Sequence, residues 1–255
     1  MSTLVRRELT GSVLSLVLDA PARRNALSRD MLGQLASELA YGHTGVTGIV
    51  ISGAGAAFSA GADFGDLTGT STDTAFDDAV ERVTRAIAAS PVPVLAAVEG
   101  PCLGAGAHLA LACDMRVAGR GSHIQVPAVR LGLLYSPRSV AWLAGAYPRD
   151  TVRRLFLLGE RFDAAEARGA GLFSTVVPDG TARERAVELL SVLAPEHLAA
   201  LAATRELLTA LESGNYNDAA WQQRRRDLLD SPARARAVRQ AQARHNSAHQ
   251  QEKQP

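Results

Sequence analysis

The 255-residue chain is predicted to adopt an α/β fold of repeated strand–strand–helix units, followed by an all-helical C-terminal region. Three observations predict it. Short apolar runs of strand length alternate with segments whose apolar residues recur at helical spacing. Glycine-rich stretches such as "GAGAAFSAG" and "GPCLGAGA" follow those apolar runs. From about residue 180 strand-like runs stop, and only amphipathic stretches remain.

Taken in order, "VLSLVLDAP" (13–21) is a weakly alternating strand ended by Pro21. "ALSRDMLGQLASELA" (26–40) sets Leu32, Leu35 and Leu39 on one helical face, with Ser28 or Asp30 as its N-cap. "GIVIS" (48–52) is a buried strand leading into a Gly/Ala-rich loop. "AFDDAVERVTRAIAAS" (75–90) aligns Val80, Val83 and Ile87 as a helix, and "PVPVLAAVEG" (91–100) is the next strand. "PCLGAGAHLALACD" (101–114) reads as a helix opened by glycines, with His108 one turn in. "MRVAG" and "HIQVP" are short strands; "RDTVRRLFLLG" and "DAAEARGAG" are helical turns; "LFSTVVP" is the last strand. The three amphipathic stretches that follow are too thin to form a core alone, so they should pack on the first part or on another subunit. The polar tail "NSAHQQEKQP" reads as a frayed end.

Composition narrows the function classes. At 47% hydrophobic and 21% charged, the chain can bury a large core. A net charge of +1, from 27 basic and 26 acidic residues, argues against nucleic acid or an anionic membrane as the main partner. No run reaches the ~20 apolar residues that span a bilayer, and "MSTLVRRELTGSVLSL" lacks the pattern of a signal peptide. Cys102 and Cys113 lie in apolar surroundings and read as reduced, buried thiols of a cytoplasmic protein.

Several motif readings fail. "GAGAAFSAG" follows a strand but has Phe58 where a dinucleotide loop needs its third glycine, and no helix follows. No GxxxxGK[ST] or GxSxG is present, and the one lysine is Lys253. His245 and His249 have helical spacing but no third ligand, so no metal site is expected. The arginines at 224–226, with Arg234, Arg236 and Arg239, read as a solvated helical face or as a site for an anionic phosphate. Two segments remain: "FSAGAD" (58–63), whose small residues let backbone approach a ligand, and "LGAGAH" (103–108), a helix start with unpaired N–H groups. Together they could polarise a carbonyl, or they could simply be tight turns of small residues.

The order and spacing of "APARRNALS", "AFSAGADFGDL", "SPVPVLAAVEGPCLGAGAHLALACDMRVAG", "VRLGLLYSP" and "ERFDAAEARGAGLFSTVV" resemble the crotonase superfamily, the enoyl-CoA hydratase/isomerase fold. The resemblance implies a spiral of ββα units over residues 1–180 that binds acyl-CoA. It also implies a helical region at 181–255 for trimerisation and capping of the site, in a homotrimer or dimer of trimers. It implies no cofactor beyond the coenzyme A thioester itself. The thioester carbonyl would sit between the backbone N–H groups of Ala62 and Ala105. Arg24, Asn25, Ala26 and Leu27, with Ala60, Gly61, Asp63, Phe64 and Gly104, would line the coenzyme A; Arg24 or a neighbour's arginine would take the 3′-phosphate.

One departure from the family pattern bears on chemistry. Where the resembling hydratases carry two glutamates, this chain has His108 and Ala128. Ordinary hydratase activity is therefore not expected, since it needs a base for water and an acid for the α-carbon. His108 falls three residues after Ala105, on the same helical face, and could act as a base or only donate a hydrogen bond. Tyr135 in "LGLLYSP" resembles a position of the methylmalonyl-CoA decarboxylases and is a candidate proton donor or a tyrosine bonded to backbone; Ser136 is a lesser candidate. Three functions stay open: an acyl-CoA lyase or isomerase working through an enolate, such a decarboxylase, and a non-catalytic acyl-CoA carrier.

Overall fold

The computed structural model describes residues 3–41 and 44–251, in two compact units, Met1–Leu193 and Ala194–Pro255. In the first, β1 (Val5–Thr10) and β2 (Val13–Leu18) form a hairpin around Gly11, whose φ of 58° suits the tight turn. β3 (Gly48–Gly53), β4 (Val94–Val98), β6 (Met115–Gly119) and β9 (Thr175–Val177) then add in parallel, giving one sheet in the order β1-β2-β3-β4-β6-β9. β2 and β4 are buried along their whole length, as expected of near-continuous apolar runs in a sheet covered on both faces.

A second sheet joins β5 (Pro101–Leu103), β7 (His123–Gln125) and β8 (Phe162–Asp163). Two isolated parallel bridges, Leu27 with Ala62 and Ser59 with Cys102, extend this layer through the loops after β2 and β3. Each unit therefore places one strand in the first sheet and a shorter segment in the second before its helix. The helices are α1 (Arg29–Ala40), α2 (Thr74–Ala89) and α3 (Ala105–Ala112). That repetition is the spiral of ββα units. Ser28 caps α1, its hydroxyl accepting from the Met31 N–H at 3.1 Å.

After β7 the chain makes a 3-10 turn (Ala128–Leu131) and then α4 (Pro137–Ala146), α5 (Arg149–Leu157) and α6 (Ala164–Gly169). α7 (Ala182–Ser191) packs Ala182, Ala186 and Leu190 against Val13, Val50, Leu95 and Val117 of the first sheet. Its N-terminus is held by Glu99, whose Oε1 accepts from the Ala182 N–H at 3.0 Å. Because α7 buries this face on the strands, the first unit runs to Leu193 and not to the change of character near residue 180.

The second unit holds α8 (Leu198–Glu212), α9 (Asp218–Leu229) and α10 (Pro232–Gln251). The single amphipathic stretch expected over 218–245 is broken at Ser231, where Pro232 starts a new helix. Residues 246–251, expected to fray, complete α10, while 252–255 lie outside the described residues. Cys102 and Cys113 are both buried and form no disulfide. Among the described residues no single helix is long and apolar enough to cross a membrane, and no cluster of metal-ligating side chains occurs.

Candidate active site

The site forms where the two sheets hand over to α3. Gly61 (φ 94°) and Gly104 (φ 51°) approach so closely that a Cβ on Gly61 would lie 2.9 Å from the Leu103 carbonyl oxygen and 3.7 Å from the Gly104 Cα. Only glycine tolerates both the positive φ and the approach. The contact brings together the two backbone segments that lead into Ala62 and Ala105. Leu27 uses its N–H on the Gly61 carbonyl (2.7 Å) and its carbonyl on the Asp63 N–H (2.9 Å), so the Ala62 N–H faces away from that bridge. Ala105 is the first residue of α3, where an N–H has no intrahelical acceptor. Among the described residues neither N–H donates to another group of the chain.

One turn along α3 stands His108, 5% exposed, with its N–H on the Gly104 carbonyl at 3.0 Å. Burial lowers its pKa to about 4, and Glu81 of α2 acts weakly in the other direction. The imidazole is thus neutral at physiological pH and makes no hydrogen bond among the described residues. Aromatic rings surround it: Tyr135 meets it edge-on at 6.0 Å between centroids, and Trp142 lies tilted at 6.1 Å. Phe156 stands behind Tyr135 at 5.4 Å.

Tyr135 is half-buried, and its hydroxyl makes no hydrogen bond among the described residues. The tyrosine bonded to backbone here is Tyr147, whose hydroxyl donates to the Leu111 carbonyl at 3.0 Å. Burial pushes the Tyr135 phenol above its ordinary pKa, with the charge of Asp77 adding to the effect, so it stays protonated. Ser136 precedes α4 without capping it through its side chain. Ala128 is buried on the 3-10 turn and brings only a methyl group.

The residues expected to line coenzyme A divide. Arg24 is exposed and Phe64 is 70% exposed; Ala26 and Ala60 are half-buried. Asn25 is fully buried instead, and its amide is spent on the scaffold. Nδ2 donates to the Ala54 and Ala57 carbonyls at 2.9 and 2.7 Å, and Oδ1 accepts from the Ala20 N–H at 3.0 Å. Leu27 is likewise core, reaching the site by backbone alone. The Asp63 carboxylate is held by Arg23 and by the Gly65 N–H. Sequence reasoning missed Trp142 and Phe156, and also the pair that anchors α4: Arg138 donates to both oxygens of Glu81, at 3.0 and 3.2 Å. Their signal was aromatic scarcity. Only twelve Phe, Trp and Tyr occur in the chain, and four of them, Tyr135, Trp142, Tyr147 and Phe156, gather around this helix.

The profile of the family described as enoyl-CoA hydratase/isomerase matches residues 8–248. The chain belongs to this family. It is 34% identical over 209 residues to the 2,3-dehydroadipyl-CoA hydratase of Escherichia coli K12, covering 79% of this chain and 82% of that protein. An enoyl-CoA hydratase/isomerase family protein from Hyphomonas neptunium superposes with a TM-score of 0.86 at 30% identity, covering 95% of both chains. Human enoyl-CoA hydratase domain-containing protein 3 superposes at 0.80 and 27%, covering 99% of both. The two-sheet spiral is accordingly the crotonase-type fold.

Proposed function

We propose that the protein is an enzyme acting on an acyl-CoA thioester, holding the thioester carbonyl between the N–H groups of Ala62 and Ala105 and working through an enolate. The observation that supports this reading is the close Gly61–Gly104 approach, in backbone that leads into two N–H groups with no acceptor among the described residues, one turn from a neutral, buried imidazole. Donors preorganised in this way stabilise charge that develops on the carbonyl oxygen. His108 takes a proton from one carbon of the acyl group, Tyr135 gives its phenolic proton to another, and the imidazolium proton then passes to the neighbouring phenolate, so both groups are restored and the reaction is a proton relocation of the isomerase type. Hydration by a pair of glutamates has no counterpart here. Coenzyme A enters as part of the substrate, with Arg24 and Phe64 open to its nucleotide end. The chain works in the cytoplasm as a homotrimer or dimer of trimers, which accords with a second unit that buries only Ala203 among its described residues.

A second reading, a non-catalytic acyl-CoA carrier, draws on the apolar Ala128, which leaves one side of the site without acid or base. Two variants test the proposal. Ala105→Pro deletes one donor at the first helical position, where proline is tolerated, and is expected to lower kcat by about 100- to 1000-fold. His108→Ala is expected to abolish turnover while acyl-CoA still binds. Tight binding with no turnover by the wild-type protein on any enoyl thioester would establish the carrier reading instead.

A further inference from the structure

We infer that the Tyr135 and Trp142 rings, with Phe156 behind Tyr135, make this an acyl-CoA site for aromatic acyl groups, and that Trp142 is the residue that sets the preference. The inference rests on the acyl-CoA reading above and adds the class of acyl group. With the carbonyl between Ala62 and Ala105, the α-carbon is one bond away, and His108 stands one helical turn along the same face. The rest of the acyl group must therefore pass the rings packed on His108. Tyr135 is only half-buried, and Trp142 leaves 38% of its surface open to solvent, so both offer ring surface that the protein itself does not cover. The rings already meet edge-on or tilted, at centroid distances of 5.4 to 6.1 Å. A guest ring can join such a cluster in the same manner. Each such pair adds about 0.5–1.5 kcal/mol beyond area burial, which is about 2- to 12-fold in affinity.

Titration calorimetry with phenylacetyl-CoA, octanoyl-CoA and free coenzyme A tests this at equal acyl carbon number for the two thioesters. Phenylacetyl-CoA is expected to bind at least about 5-fold more tightly than octanoyl-CoA. In Trp142→Leu the margin for phenylacetyl-CoA should shrink to below about 2-fold, with free coenzyme A binding unchanged. Phe156→Leu should reduce the margin in part. Octanoyl-CoA binding as tightly as phenylacetyl-CoA in the wild type overturns the inference, whatever the variants do. So does a margin that survives in both variants. If no thioester binds better than free coenzyme A, the acyl-CoA reading itself falls; if octanoyl-CoA wins, that reading stands and only the aromatic preference is lost.

Discussion

A histidine that is 5% exposed and packed against Tyr135 and Trp142 loses the hydration that would stabilise its cation, which is why the His108 pKa falls to about 4. The unfolded chain regains the ordinary value of 6.5. Between pH 4 and 6.5 the unfolded state therefore binds the extra proton, and stability rises with pH across that window. The contribution is complete above pH 6.5 and amounts to about 3 kcal/mol. His108→Asn should flatten the difference in urea midpoint between pH 7 and pH 4.5; an unchanged difference would show that His108 is hydrated. For catalysis the acid limb of kcat/KM should lie near pH 4, since a neutral base is needed. Asn25 makes a contrasting case. In the sequence it looked like a ligand contact, but its amide joins three backbone groups and its φ is 54°. Asn25→Ala should cost about 2–4 kcal/mol in chemical denaturation without weakening acyl-CoA binding by the folded fraction. Such a role cannot be read from one sequence, because the groups Asn25 serves are carbonyls and an N–H, which have no residue type.

At the scale of elements, legibility followed burial pattern. β2, β3, β4, α1 and α2 carry continuous or helically spaced apolar residues, and each appears where its pattern placed it. β1 buries only Val5 and leaves most of its other positions exposed at the sheet edge, β5 is three residues long and β8 two, so none has a period to detect. α4 escaped for a related reason: of its ten residues only Leu143 is buried. The helix that brings Trp142 to the site is thus anchored by one core side chain and by the Arg138–Glu81 pair. Their expected contributions differ. Leu143→Ala should cost about 2–5 kcal/mol through the cavity it leaves. Arg138→Ala, removing a pair whose arginine is 78% exposed, should cost no more than about 1 kcal/mol. Equal losses in urea denaturation would mean that α4 is held by charge and not by packing.

For the molecule as a whole, the spiral explains why the site was half legible. Its donors come from backbone at the ends of two successive turns, and Gly61 and Gly104 mark those places in the sequence. The walls come from a later segment, 135–156, whose approach to α3 is set by the fold alone. The helical unit poses a separate question of stability. Even with the whole chain present, Ala203 is the one buried side chain among its described residues, while Leu208, Leu211, Tyr216 and Leu229 are about half exposed. Isolated helices of 12 to 20 residues are marginal in water unless a packed face supports them. A peptide of residues 194–255 should therefore show little helix by far-UV circular dichroism and no cooperative melt at micromolar concentration. In the full chain the same segment should be protected from hydrogen exchange, increasingly so as protein concentration rises, if its apolar side chains are covered by a second copy. A cooperative melt of the isolated peptide at native helix content would show that α8, α9 and α10 support one another, and would remove this reason for assembly.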